Sequence, residues 1–145
     1  MGHVDCAPCS SRCKQHYRVL AYTGAAIVAD ASADRLAKVR RRFVSSIESK
    51  LEDTYEALPS LIGGAAAAPA LATTYRRIHD ICGVADTVGF SGTGRAARKL
   101  DMILVVPHQE QRGLTASEMT PALQALHALR EASLLDLQSV YTSWR

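Results

Sequence analysis

Seven apolar residues, Leu36, Val39, Phe43, Ile47, Leu51, Tyr55 and Leu58, recur along one stretch at spacings of three and four. That period is one face of an α-helix, kept up for about six turns. A stripe of this length has to be buried against other helices. Ser32 stands before it as an N-cap. Arg40, Arg41, Arg42, Glu48, Lys50 and Glu52 fill most of the remaining surface, and Pro59 followed by Gly63-Gly64 ends the element.

The rest of the chain repeats the pattern. Ala65 to Pro69 is an Ala-rich connector. A second helix is expected from about Ala70 to Val88, with Ile78, Ile81, Ala85 and Val88 on its apolar side. The run Gly89-Phe90-Ser91-Gly92-Thr93-Gly94 is a turn, with Ser91 or Thr93 as cap. A shorter third helix turns Ala97, Leu100, Ile103 and Leu104 inward and stops at Pro107, before a polar loop to Gly113. Thr115-Ala116-Ser117-Glu118 fits a capping box, Thr120-Pro121 is a rival start, and the last helix runs to about Ser143. The expected fold is therefore all-α: an antiparallel four-helix bundle with a short N-terminal extension or extra helix. The bundle is expected over residues 31–145, and residues 1–30 form the extension, ordered in part at most, with a short helix near 17–30.

Composition agrees with one helical domain. The chain has 145 residues and is 48% hydrophobic but only 6% aromatic, with Ala and Leu abundant. No apolar run reaches the ~18 residues of a membrane helix. Arg12, Lys14 and Arg18 before Val19 to Ala33 vaguely resemble a signal peptide, but Tyr22, Thr23, Gly24 and Asp30 interrupt the apolar stretch. A net charge of +3 does not select nucleic acid. The basic run Lys38, Arg40, Arg41 and Arg42 lacks aromatic stacking partners and reads as a solvated helix face.

The four cysteines, Cys6, Cys9, Cys13 and Cys82, are a poor disulfide framework. Reduced thiols and a cytoplasmic location are expected. Cys6, Cys9, Cys13 and His16 offer three thiolates and an imidazole to zinc. Structural zinc sites usually close a longer loop between two ligand pairs, so an unordered tail is the favoured reading and no metal is assigned.

The residue with functional promise is His79. As a helix, His79 to Gly89 puts this histidine on the polar face, with Gly83 one turn later on the same side. A mid-helix glycine costs ~1 kcal/mol against alanine and needs a reason. No nucleophile elbow, H-E-x-x-H, P-loop or strand-preceded glycine motif is present. Phosphoryl transfer through histidine asks less of its host. Neutral imidazole is already a nucleophile, and a partner can bring the metal and charge clamp. The host has only to expose the ring and clear the approach, which a glycine does. Arg76, one turn before His79, and Arg95, Arg98 and Lys99 on the next helix can balance phosphate charge. His3, His16, His108 and His127 lack such a setting and read as loop or helix-surface residues.

The histidine, glycine four later and glycine ten later, on the second helix of a bundle, resemble the histidine-containing phosphotransfer (HPt) domains. His79, Gly83 and Gly89 match the phospho-accepting histidine, its small neighbour and the helix-ending glycine, and Ala85 matches a small-residue position between them. The resemblance covers roughly residues 32–143. It implies a phosphorelay phosphocarrier of two-component signal transduction, not an enzyme with its own kinase or nucleotide site. His79 would take a phosphoryl group from a receiver-domain aspartate and pass it to another receiver. The implied partners are response-regulator receiver domains and a hybrid or other sensor histidine kinase. No cofactor is implied, and Mg²⁺ would sit in the receiver. Where the family often has a lysine, three residues after the histidine, this chain has Cys82. Arg76, Cys82, Gly83, Asp86, Arg95 and Arg98 are the expected partner-facing or charge-balancing positions, with Tyr75 and Ala72 on the docking surface. The other reading is a non-catalytic helical adaptor that binds signalling partners without using the histidine.

Overall fold

A computed structural model describes the backbone of residues 11–143 and the side chains of residues 30–143. Among these residues the chain forms four α-helices: α1 (Ser11–Ala57), α2 (Ala68–Ala85), α3 (Ser91–Gln109) and α4 (Ala116–Ser143). Two short 3₁₀ turns, Leu58–Leu61 and Ala65–Ala67, join α1 to α2. The chain divides into two compact units, residues 1–38 and 39–145. The first contributes the N-terminal part of α1. The second holds the helical bundle.

Long-range pairs fix the register of the bundle. Arg77 on α2 meets Asp53 on α1 at 3.8 Å, and Arg40 on α1 reaches the Val88 carbonyl just beyond α2. Tyr75 stacks on His108, and Arg98 pairs with Asp86, so α2 and α3 run in opposite directions. Thr93 at the start of α3 meets Asp136 near the end of α4. Tyr55 on α1 shares a hydrogen bond with His127 on α4. Each helix thus packs antiparallel to the next, as the short links require. Phe43, Ile47 and Leu51 from α1, Leu71, Ile78 and Ile81 from α2, Leu100 and Leu104 from α3, and Leu126 and Leu129 from α4 fill the core.

Several expected boundaries move. Ser32 lies inside α1 rather than at its start, and the short helix near 17–30 is part of the same continuous element. No proline interrupts Ser11–Ala57, and alanines line its first half. Leu36 and Val39, the first two members of the apolar stripe, are 46% and 41% exposed. α2 ends at the level of Arg40, so Val39 has no α2 face opposite it. α2 stops at Ala85 rather than Val88. Pro107 does not end α3, which continues to Gln109. Proline costs a helix its own N–H bond, but the N–H groups of Glu110, Arg112 and Gln111 still take the Val106, Pro107 and His108 carbonyls. Gln111, at φ 53, then turns the chain out of the helix.

One helix cap follows the local sequence pattern and another comes from a distant residue. The Thr115 N–H donates to Glu118 Oε2 at 2.9 Å, and the Glu118 N–H donates back to Thr115 Oγ1 at 3.3 Å. This is the capping box, and it starts α4 before Pro121. α3 has no such local cap: Phe90 holds the N-cap position and neither Ser91 nor Thr93 acts there. Instead Asp136 accepts from the Thr93 N–H at 2.7 Å and from Thr93 Oγ1 at 2.8 Å. A carboxylate from α4 therefore satisfies the positive end of α3. The glycines on either side of Thr93 give room for carboxylates. A Cβ on Gly92 would lie 3.1 Å from Asp136 Oδ1, and one on Gly94 would press on Asp86.

Candidate functional site

α2 presents His79 to solvent because Ile78 and Ile81 are fully buried and fix the helix's rotation. The His79 side chain is 63% exposed. Its Nδ1 lies 3.2 Å from Asp101 Oδ1 on α3. A carboxylate only accepts, so in this hydrogen bond the Nδ1–H donates, and in the neutral ring Nε2 carries the lone pair. Tyr75, one turn back, stacks on the imidazole at 5.6 Å between centroids, and Tyr75 also stacks on His108 at 4.4 Å. The ring is thus held from one edge and from below, with one nitrogen left open.

Beside the ring is a shallow hollow. Its α2 wall is His79, Asp80, Cys82, Gly83 and Val84, and its α3 wall is Arg98 and Asp101. Gly83 lies on the open side. A Cβ built there meets no heavy atom within 4 Å. Nothing in the packing of the described residues therefore asks for glycine at this position. Gly89 is different: at φ 87, with a virtual Cβ 2.7 Å from Arg40 Nη2, it is required by the turn itself. Arg40 uses that space to donate from Nε to the Val88 carbonyl at 2.8 Å, placing a cation at the end of α2.

The electrostatics are mixed. Arg98 is the cation at the hollow, and its Nη2 pairs with Asp86 at 3.2 Å. Asp80 and Asp101 bring negative charge to the same hollow. Cys82 is half-buried, and its thiol is pushed up to about 11, first by burial and then by the Asp101 carboxylate. It stays protonated at neutral pH and is not a reactive thiolate.

The structure thus brings His79, Cys82, Gly83 and Arg98 together, with Asp86 attached through Arg98. Arg76 is exposed on the preceding turn of α2. Arg95 and Lys99 are exposed on α3 but do not line the hollow. Ala72 is half-buried, and Tyr75 is engaged in its two ring stacks rather than free. Sequence reasoning misses Asp101 and the stacking role of His108. The contacting pairs 79–101, 75–108 and 86–98 are nearly symmetric about residues 90–92. The α2–α3 register would have pointed to Asp101, had the ends of the turn been known.

The set Cys6, Cys9, Cys13 and His16 lies outside the residues whose side chains are described. Among the described residues no group of three His, Cys, Asp or Glu side chains is placed to hold a metal. No helix among them is long and apolar enough to cross a membrane. The glycine-rich first turn of α3 holds the protein's own carboxylate, Asp136, at the Thr93 N–H and hydroxyl. No family model, curated protein or solved structure matches this chain.

Proposed function

We propose that this chain is a phosphorelay carrier that accepts a phosphoryl group on Nε2 of His79 from a receiver-domain aspartate and passes it to a second receiver. The observation that carries the reading is Gly83. It is a glycine in the interior of a helix, one turn from an exposed histidine, with open space where its side chain would be. Glycine weakens a helix by about 1 kcal/mol against alanine. A cost with no cause among the described residues is explained by a partner that must come close. Three features support the chemistry. The Nδ1–H bond to Asp101 leaves Nε2 as the nucleophilic nitrogen. The ring protrudes from a rigid helix. Arg98 lies at the hollow to meet phosphate charge. The host needs no nucleotide or metal of its own for this step, because the receiver supplies the acyl phosphate and its Mg²⁺.

The second reading, a helical adaptor, is favoured by Cys82. The position expected to carry a balancing lysine holds a half-buried thiol, and Asp80 and Asp101 add negative charge beside it. His79→Gln separates the two. A carrier loses transfer from every phosphorylated receiver while keeping receiver affinity. An adaptor keeps affinity and complements a deletion strain fully with Gln at this position.

A further inference from the structure

We propose that the groove between α1 and α4 is a dimer interface, and that its occupant is the same groove of a second copy of this chain. The groove has a volume of about 150 Å³, and Ile47 and Leu51 from α1 and Leu137 from α4 line it. A space of that size takes one benzene-sized apolar group. Leu134 stands on the α4 wall of the groove and is 50% exposed. Tyr141, two turns later on the same helical face, is 65% exposed. One surface therefore carries both an apolar knob and an apolar hole.

The charges follow the same arrangement. Glu48 and Glu52 stand on the α1 wall and Arg130 on the α4 wall. Among the described residues neither carboxylate joins an ion pair, and the Arg130 guanidinium lies over the Tyr55 ring at 5.6 Å. Tyr55 meets His127 across the same two antiparallel helices, so Glu52 and Arg130 face each other at one level of the groove. A two-fold axis along the groove sets the α1 wall of one copy over the α4 wall of the other at that level. Glu48 and Glu52 of each copy then meet Arg130 of the other, and Leu134 of each enters the other's groove. Knob, hole and both signs of charge find their complements by symmetry, as an isologous interface requires. A foreign partner would have to supply all of these independently. The groove shares no residue with the hollow beside His79, so each copy keeps its own acceptor site.

The test is sedimentation velocity of the full chain over a concentration series, with every variant shown to be folded by circular dichroism. The expected result is a dimer with a dissociation constant of about 100 μM or below. Leu134→Glu should weaken it about 30-fold or more. Arg130→Glu should weaken it about tenfold or more, and so should Glu48→Arg combined with Glu52→Arg. Mixing these two charge variants should restore a one-to-one heterodimer of near wild-type affinity, because every reversed charge then faces its opposite. His79→Gln should dimerise as the wild type does, since the interface is independent of phosphoryl transfer. A wild type that stays monomeric up to about 1 mM overturns the inference. A dimer that Leu134→Glu leaves intact overturns it too, by placing the contact on another surface. Charge variants that fail to pair when mixed overturn the two-fold arrangement.

Discussion

Replacing Gly83 should raise stability and lower function, in that order of side-chain size. In Gly83→Ala the new Cβ meets no heavy atom within 4 Å, so there is no clash to set against the gain in helix propensity. The expected stabilisation is about 0.5–1 kcal/mol, or roughly 2–5 °C in melting temperature for a domain of this size. A helical side chain leans toward the turn N-terminal to its own Cα. At position 83 that turn is the one bearing His79. Gly83→Leu therefore keeps most of the stability gain but lays an isobutyl group over the imidazole. Displacing an attacking group by an ångström costs transfer about 100-fold. Gly83→Ala should slow transfer by less than about tenfold, since a methyl obstructs little. Thermal melts followed by circular dichroism give the first quantity, and single-turnover transfer from a phosphorylated receiver gives the second. If Gly83→Ala melts lower than wild type, the glycine serves the fold and the clearance argument fails. If Gly83→Leu accepts phosphoryl at the wild-type rate, nothing needs the space that glycine leaves.

Three further outcomes follow from the packing and the titrating groups. Asp136→Ala removes the one oxygen that accepts both hydrogen bonds of Thr93, which is fully buried, and should cost about 2 kcal/mol, read as a lower urea midpoint with unchanged slope. Glu118 is held at about 2, chiefly by its hydrogen bonds to the Arg112 guanidinium and then by the Thr115 N–H. Because this carboxyl is depressed on folding, its contribution is fully present above 4.5 and lost as pH falls toward about 2, so Glu118→Gln should flatten the acid limb of a stability-against-pH curve in that interval. In a chain with Cys6, Cys9 and Cys13 replaced by serine, native Cys82 should react with iodoacetamide at neutral pH at least tenfold more slowly than after unfolding in urea, because its thiol is pushed up to about 11 from 9.0. Equal rates would show that burial does not protect it.

Local patterns in this chain are readable from its residues, and long-range ones are not. The stripe through Phe43, Ile47 and Leu51 names a buried face because period and burial are the same fact seen twice. Thr115 and Glu118 announce the start of α4, since both partners of the capping box lie within one turn. His79 and Gly83 are equally local, and the structure places them on one exposed face. Pro107 misleads because a proline removes only its own N–H bond, and the Glu110 N–H beyond it still takes the Val106 carbonyl. Asp136 gives no signal near α3, because the residue it caps is 43 positions away. Asp101 is hidden for the same reason: its meaning comes from the register of α2 against α3, which the Ala85–Ser91 turn sets. The segment before Phe43 shows the limit of periodicity, since Leu36 and Val39 continue the pattern without continuing the core.

The most direct measurement is to locate the phosphoryl group itself. Wild-type protein and His79→Gln are each incubated with phosphorylated receiver, and the products are analysed by phosphorus NMR and by peptide mass spectrometry under alkaline conditions. The wild type should show one base-stable, acid-labile N–P resonance, mapped to the peptide bearing His79, and the variant none. A folded wild type that carries no such resonance with any receiver, or one whose label persists in His79→Gln, would contradict the proposed function.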